Sequence, residues 1–420
     1  MNRKAFVSID MQGNTYPVGT LWTRASGGRE SATFQYDPDW LTNPDRFAIE
    51  PALTMDAGPH HTAGDAPMFG ALSDSAPDRW GRMLMRRAER RLSAKEGRAP
   101  RALQEIDFLL GVQDVTRMGA LRFSESQEGP FLADSSVTPI PPFVSLPKLL
   151  AASEQVIAEN ESDDDLLLLL APGSSLGGAR PKASVMNRDG KLALAKFPSA
   201  QDEWTTELWE SVALGLARDA GLETPQWSIE SIAGKAVLVL QRFDRRGTQR
   251  LPFLSAMSML SARDHETRCY LEIVDAIRRF GAMPRDDMHA LFRRIIFNIL
   301  ISNTDDHLRN HAFLLPDPRG WRLSPVYDLN PIPADVRPRI LSTAIDMDDA
   351  TASLELAMHV APYFELDGAG AERIVGEVGR VVVNWRERAA QAGVSTNEIR
   401  RMASAFEHAD LAAASKMGSK

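Results

Sequence analysis

The stretch "NTDDHLRNHAF", Asn303 to Phe313, gathers carboxylates, amides and histidines directly after the apolar run "LFRRIIFNILIS". Asp305 is followed five residues later by Asn310. A carboxylate can orient a hydroxyl or take its proton, and an amide oxygen can ligate a hard cation, so the pair has the parts for phosphoryl transfer. That chemistry asks little covalent participation of a protein. It needs a base, oxygen ligands for a metal, and cations with backbone amides around the phosphates.

The Asp305–Asn310 offset is the one that separates base and metal-binding amide in protein-kinase catalytic loops. Other segments are candidates for the remaining parts. "SPVYDLNP" puts Asp328 after a hairpin that folds back toward the loop, where it could chelate Mg²⁺. Its tripeptide is Asp-Leu-Asn, so the glycine hinge of the kinase DFG motif is absent. "PGSSLGGARPK" is a Ser/Gly-rich loop in which Gly173, Gly177 and Gly178 would let backbone amides approach phosphate, with Lys182 adding charge. Lys196 ends the strand "LALAK", a place from which a lysine can reach α- and β-phosphates, and Glu207 or Glu210 on the next helix could hold it. Gln241 and Phe243 in "VLVLQRFDRR" sit where an adenine would be walled and hydrogen-bonded, or where Phe243 would simply fill a core. A metal hydrolase is the competing reading, with His307 and His311 four apart on a helix face beside Asp305 or Asp306. Oxygen-held Mg²⁺ suits the carboxylate and amide set better.

These groups must be positioned by an ordered scaffold. "KAFVSID" and "TYPVGTLW" around "MQGN" read as a hairpin, followed by the strand "SATFQYD" and a helix after "SDSAPD". "SSVTPIPPFVSLP" carries four prolines and reads as a linker or domain edge. "SLPKLLAASEQVIAENES" then reads as a helix, and "ARPKASVMNRDGKLALAKFP" as two strands turning at "NRDG". The helix "EWTTELWESVALGLARDAGL" ends at Gly221, and "WSIESIAGKAVLVLQRF" is another hairpin. Beyond about residue 254 helices dominate, including "AERIVGEVGRVVVNWRERAAQAG" and "TNEIRRMASAFEHADLAAASK", with "HAFLLPDPRGWRLSPVYDL" as a short interrupting hairpin.

Composition bounds the partners. The chain has 420 residues, 44% of them hydrophobic and 25% charged, a globular balance expected to divide into two or three domains. A net charge of −8 provides no global field for nucleic acid, and the basic run "RMLMRRAERRL" reads as an amphipathic helix. The single Cys269 excludes an intrachain disulfide framework and a CxxC zinc site. No h-region opens the sequence and no apolar run is bilayer-long, so no membrane and a cytoplasmic location are expected.

Taken in order, "VGTLW", "FQYDPDWL", "FGALSDSAPDRWGRMLM", "GGARPKA", "LAKFP", "QRFDRR", "NTDDHLRNHAF" and "SPVYDLNP" resemble the HipA-type toxin kinases of bacterial toxin–antitoxin operons. The resemblance implies an α+β, two-lobed protein-kinase-like fold. It would comprise an N-terminal β-rich domain (1–135), a small β-rich lobe (136–250) and a large helical lobe (251–420). It implies ATP- and Mg²⁺-dependent phosphorylation of protein serine or threonine, with an aminoacyl-tRNA synthetase as substrate and growth arrest as outcome. Asp305 would be the catalytic base, Asn310 and Asp328 the Mg²⁺ ligands, and His307 and Glu210 supporting residues. Lys182, Lys196, Gln241, Phe243, Ser175, Gly177 and Gly178 would bind nucleotide, and Ser175 or Ser174 would be autophosphorylated and silence the kinase. The partner implied is a helix-turn-helix antitoxin through which alone the chain meets operator DNA. A co-repressor with little kinase activity and a small-molecule kinase are the alternatives.

Overall fold

A computed structural model describes residues 2–132, 140–170 and 178–417. The chain forms two compact units, Met1–Gln201 with Glu230–Leu254, and Asp202–Ile229 with Ser255–Lys420.

In the first unit, β1 (Asn2–Met11) and β2 (Asn14–Ser26) form the expected hairpin, closed by Gln12 and Gly13. Both turn residues take positive φ, as a tight two-residue turn between twisted strands requires. Along β1, Ala5, Val7, Ile9 and Met11 are buried while the residues between them are less so, the period of a one-faced strand. With β3 (Arg29–Tyr36), β4 (His60–His61) and β5 (Leu121–Ser124) they make an antiparallel sheet in the order β4-β3-β2-β1-β5.

The helix Arg79–Lys95 is capped by Asp78, whose carboxylate accepts the Gly81 N–H at 2.9 Å. Its Trp80 and Leu84 enter a core shared with the helix Leu146–Ile157 and a second sheet. That sheet holds β6 (Lys182–Met186), β7 (Leu192–Lys196), β8 (Trp227–Ile232) and β9 (Lys235–Gln241) in the order β6-β7-β9-β8. Asn187 makes the β6–β7 turn by accepting the Asp189 and Lys191 amides at 3.0 and 2.8 Å. Every side chain of β7 is buried, so it is a central strand and Lys196 emerges from a core. Beyond β9, the enclosed Arg242 grips both oxygens of Asp244 at 2.7 and 2.6 Å and the Thr116 carbonyl at 2.9 Å, fastening the strand's exit to the first sheet's loops.

The second unit is predominantly helical. Its central helix, Pro284–Leu300, starts with Pro in the first turn and Asp286 and Asp287 beside it, which suits the helix dipole. It buries Leu291, Phe292, Ile295, Ile296, Phe297, Ile299 and Leu300, nearly its whole C-terminal circumference. The hairpin Ala312–Leu314 with Arg322–Leu323 follows, as expected. The C-terminal segments are more broken than their periodicity suggests. One divides into Gly368–Val382 and Trp385–Gln391, the other into Thr396–Arg401, Ala403–Phe406 and Ala409–Ala414. His408 is extended, lies 3.3 Å from the Leu300 carbonyl through Nε2, and caps the last helix through Nδ1. Tertiary contact overrides local propensity there. No helix among the described residues is long and apolar enough to cross a membrane.

Candidate active site

The central helix ends at Leu300, and two residues later Ser302 takes a positive φ and turns the chain into an irregular loop. Asn303 anchors that loop, its N–H donating to the Asn298 carbonyl at 2.9 Å and its side-chain amide to Asn298 Oδ1 at 3.0 Å. In the extended stretch that follows, neighbouring side chains part company. Asp305 is half-exposed, while Thr304 and Asp306 are buried.

Only Leu308–Asn310 coils, as a single 3₁₀ turn that carries Asn310 back under the loop. Its Nδ2 donates to the Asp305 carbonyl at 2.8 Å. Its Oδ1 is buried with no hydrogen-bond partner among the described residues. A buried acceptor without a donor costs on the order of 1–3 kcal/mol, and an oxygen-seeking cation is one way to satisfy it.

Asp328 reaches the same neighbourhood from the far side of the hairpin. It sits at φ +57°, a left-handed conformation that Asp tolerates better than most residues. Asn330, in the place of the missing glycine, donates its side-chain amide to Asp328 Oδ1 and its backbone N–H to Asn303 Oδ1, each at 3.2 Å. Tyr327 Oη donates to the Arg309 carbonyl at 2.6 Å. Tyr327 and Leu329 line one small cavity with Asn310, His311, Asp306 and Arg294. Asn310 is thus bonded to the Asp305 backbone, and Asp328 is joined to the same loop through Asn330 and Asn303.

Behind the loop lies a buried polar cluster. Asp306 Oδ1 accepts the Ser342 N–H at 2.7 Å, and its other oxygen takes the Tyr270 hydroxyl. Burial pushes the Asp306 carboxyl up to about 6 and the Tyr270 phenol well above its ordinary value. His311 Nε2 lies 3.3 Å from both Tyr270 Oη and the Asp306 carbonyl, and burial draws its imidazole down to about 3, which keeps it neutral.

This arrangement corrects the hydrolase alternative. His307 precedes the 3₁₀ turn and His311 follows it, so they share no helix face. No group of three or more His, Cys, Asp or Glu side chains among the described residues is placed to hold a metal.

One residue beside Asp305 has no signal in the sequence. Arg337 Nη1 lies 3.2 Å from Asp305 Oδ1. It belongs to "NPIPADVRPRILST", a stretch without periodicity or motif.

The nucleotide candidates lie in the first unit. Lys196 is buried on β7, opposite Lys182 on β6 and Leu238 on β9. Lys182 is not an open phosphate contact: its ammonium donates to Asp78 Oδ2 at 2.7 Å, with both side chains closed off from solvent. Gly178 adopts φ +96° beside it, and a Cβ there would come within 3.2 Å of Lys182 Nζ. Gln241 pairs with Ala193 at the end of β9, and the Phe243 ring stands 6.4 Å from Phe253. Glu207 and Glu210 are buried on the helix Thr206–Asp219 of the second unit. Gly173, Ser174, Ser175 and Gly177 lie outside the described residues.

Residues 9–124 match the HipA N-terminal domain and residues 174–409 the HipA-like C-terminal domain. The chain belongs to the HipA family. The fold agrees: a HipA chain from the Shewanella oneidensis toxin–antitoxin complex of HipA, HipB and operator DNA superposes with a TM-score of 0.67. That match covers 97% of this chain and 96% of that one at 16% identity. Among curated relatives, a putative kinase of Sinorhizobium fredii is 27% identical over 54% of this chain, and a putative kinase of Haemophilus influenzae 24% identical over 37%. The chain spans about half the length of these relatives, 53% and 52%.

Proposed function

We propose that this HipA-family chain is a toxin kinase that transfers the γ-phosphate of ATP to a serine or threonine of a protein. The observation that carries the reading is Asn310, its amide nitrogen clamped to the Asp305 carbonyl and its buried oxygen without a partner among the described residues, with Asp328 tied in through Asn330. Asn310 and Asp328 would hold Mg²⁺, which when bound neutralises charge on the phosphates. Asp305 orients the acceptor hydroxyl and takes its proton. Lys196 is the phosphate-contacting lysine, Gln241 and Phe243 line the adenine site, and Ser175 or Ser174 is the autophosphorylation site.

We assign the acceptor to an aminoacyl-tRNA synthetase on the strength of the family resemblance, and place the chain in the cytoplasm. The partner is a helix-turn-helix antitoxin that neutralises the chain and carries it to operator DNA. The net charge of −8 supports DNA contact being left to that partner.

The test is transfer of labelled γ-phosphate to the chain and to purified synthetases. Wild type is expected to label and Asp305→Asn to fall on the order of 100-fold or more. Equal labelling by the two would remove Asp305 from the reaction, and no labelling by wild type would refute the kinase assignment.

A further inference from the structure

We infer that Arg337 is a positioning residue for phosphoryl transfer, holding one carboxylate oxygen of Asp305 so that the other faces the acceptor hydroxyl. The inference rests on the kinase reading above.

As a stabilising contact the pair would count for little. The Arg337 side chain is 42% exposed and that of Asp305 50% exposed, and an ion pair in such surroundings adds little to stability. Its geometry is nevertheless not that of a loose surface pair. Arg337 Nη2 donates to the Ser342 hydroxyl at 3.3 Å, and that hydroxyl donates to the Thr304 carbonyl at 2.9 Å. The Ser342 N–H donates to Asp306 Oδ1 at 2.7 Å. The residues before, at and after the catalytic position are therefore all tied to one segment, Arg337 to Ser342. The Arg337 backbone is itself fixed, its N–H donating to the Pro333 carbonyl at 3.1 Å.

A half-exposed aspartate otherwise samples several side-chain rotamers. Here the guanidinium selects one, and it occupies Oδ1 alone. In the transfer, the acceptor oxygen bonds the γ-phosphorus as its proton passes to Asp305 Oδ2. The bond from the γ-phosphorus to the bridging oxygen breaks, and its electron pair leaves with ADP. Arg337 keeps its bond to Oδ1 throughout. Misplacing a catalytic group by about 1 Å can cost on the order of 100-fold in rate, which sets the size of effect to look for.

The test compares wild type, Arg337→Ala, Arg337→Lys and Asp305→Asn with γ-labelled ATP, using the chain itself and casein as acceptors. Arg337→Ala is expected to lower kcat by roughly 10- to 100-fold with KM for ATP within about twofold of wild type. Arg337→Lys should recover part of kcat, and millimolar guanidinium should raise Arg337→Ala but not Asp305→Asn. Wild-type kcat in Arg337→Ala, with Asp305→Asn inactive, would overturn the inference and leave the kinase reading standing. A change confined to KM for ATP would overturn it in favour of a nucleotide contact. If Arg337→Ala does not fold, full kcat in a folded Arg337→Lys sinks the inference and a partial loss supports it. An inactive wild type overturns both readings.

Discussion

The ammonium of Lys182 and the carboxylate of Asp78, 104 positions apart in sequence, meet at 2.7 Å with 2% and 4% of their side chains exposed. The same carboxylate caps the helix Arg79–Lys95 through its other oxygen. Removing one partner strands a buried charge, which typically costs about 3–5 kcal/mol. Lys182→Met and Asp78→Asn should each lower unfolding free energy by about that amount, read by chemical denaturation. The double variant should cost less than the sum of the two. Loss of nucleotide binding in Lys182→Met therefore counts as a site effect only at temperatures where the variant is folded.

At Asp328, backbone and chemistry make separable demands. Its φ of +57° penalises most side chains by about 1–2 kcal/mol, whereas Gly adopts it freely and Asn tolerates it. Asp328→Asn and Asp328→Gly should keep the melting temperature near wild type, and Asp328→Ala should lower it by a few degrees. All three should abolish Mg²⁺-dependent phosphate transfer. A melting temperature for Asp328→Ala equal to that of Asp328→Gly would contradict the strain argument, and activity in Asp328→Gly would contradict the ligand role.

What is legible in the sequence follows contact distance. Asp305 and Asn310 touch within one loop, so their spacing carries the relationship. The β6–β7 hairpin is equally local, since Asn187 and Gly190 make the turn themselves. Arg337 lies 32 positions from Asp305, and Tyr270 lies 36 from Asp306, separations at which no local spacing links the partners. The i,i+4 spacing of His307 and His311 suggests a shared helix face only because spacing carries no information about whether a helix is there. Asn330 reads as an absent glycine, while in the fold it is a tether between Asp328 and Asn303.

Glu50 gives the first unit a stability signature of its own. It is 3% exposed, its carboxylate accepts the Ala71 N–H at 2.5 Å, and burial pushes its value from 4.5 up to about 7. Below pH 4.5 the carboxyl is protonated in folded and unfolded chains alike, so it imposes no penalty. Between 4.5 and 7 the unfolded chain ionises while the folded one holds its proton, so stability falls as pH rises and levels off above 7. Glu50→Gln should remove that slope and stabilise the chain at pH 8 by up to about 3 kcal/mol. Denaturation curves at pH 4.5 and 8, followed by tryptophan fluorescence, decide it. An unchanged slope in the variant would mean that Glu50 is not the group responsible.

The amide of Asn310 joins structure and chemistry most tightly, because its two ends do different work. The nitrogen holds the Asp305 carbonyl at 2.8 Å, and the oxygen is buried with no partner among the described residues. Asn310→Ala loses both, so it should weaken Mg²⁺-dependent ATP binding and loosen the loop. Asn310→Asp keeps an oxygen ligand and adds charge, but it exchanges the donor at the Asp305 carbonyl for a second acceptor, and two acceptors there repel. Asn310→Asp should therefore bind Mg²⁺ at least as well as wild type yet transfer phosphate more slowly, by on the order of 10- to 100-fold. Calorimetric titration of Mg²⁺ with a non-hydrolysable ATP analogue, beside kcat, separates the two effects. Equal Mg²⁺ affinity in Asn310→Ala and wild type would show that the idle oxygen serves something other than a cation.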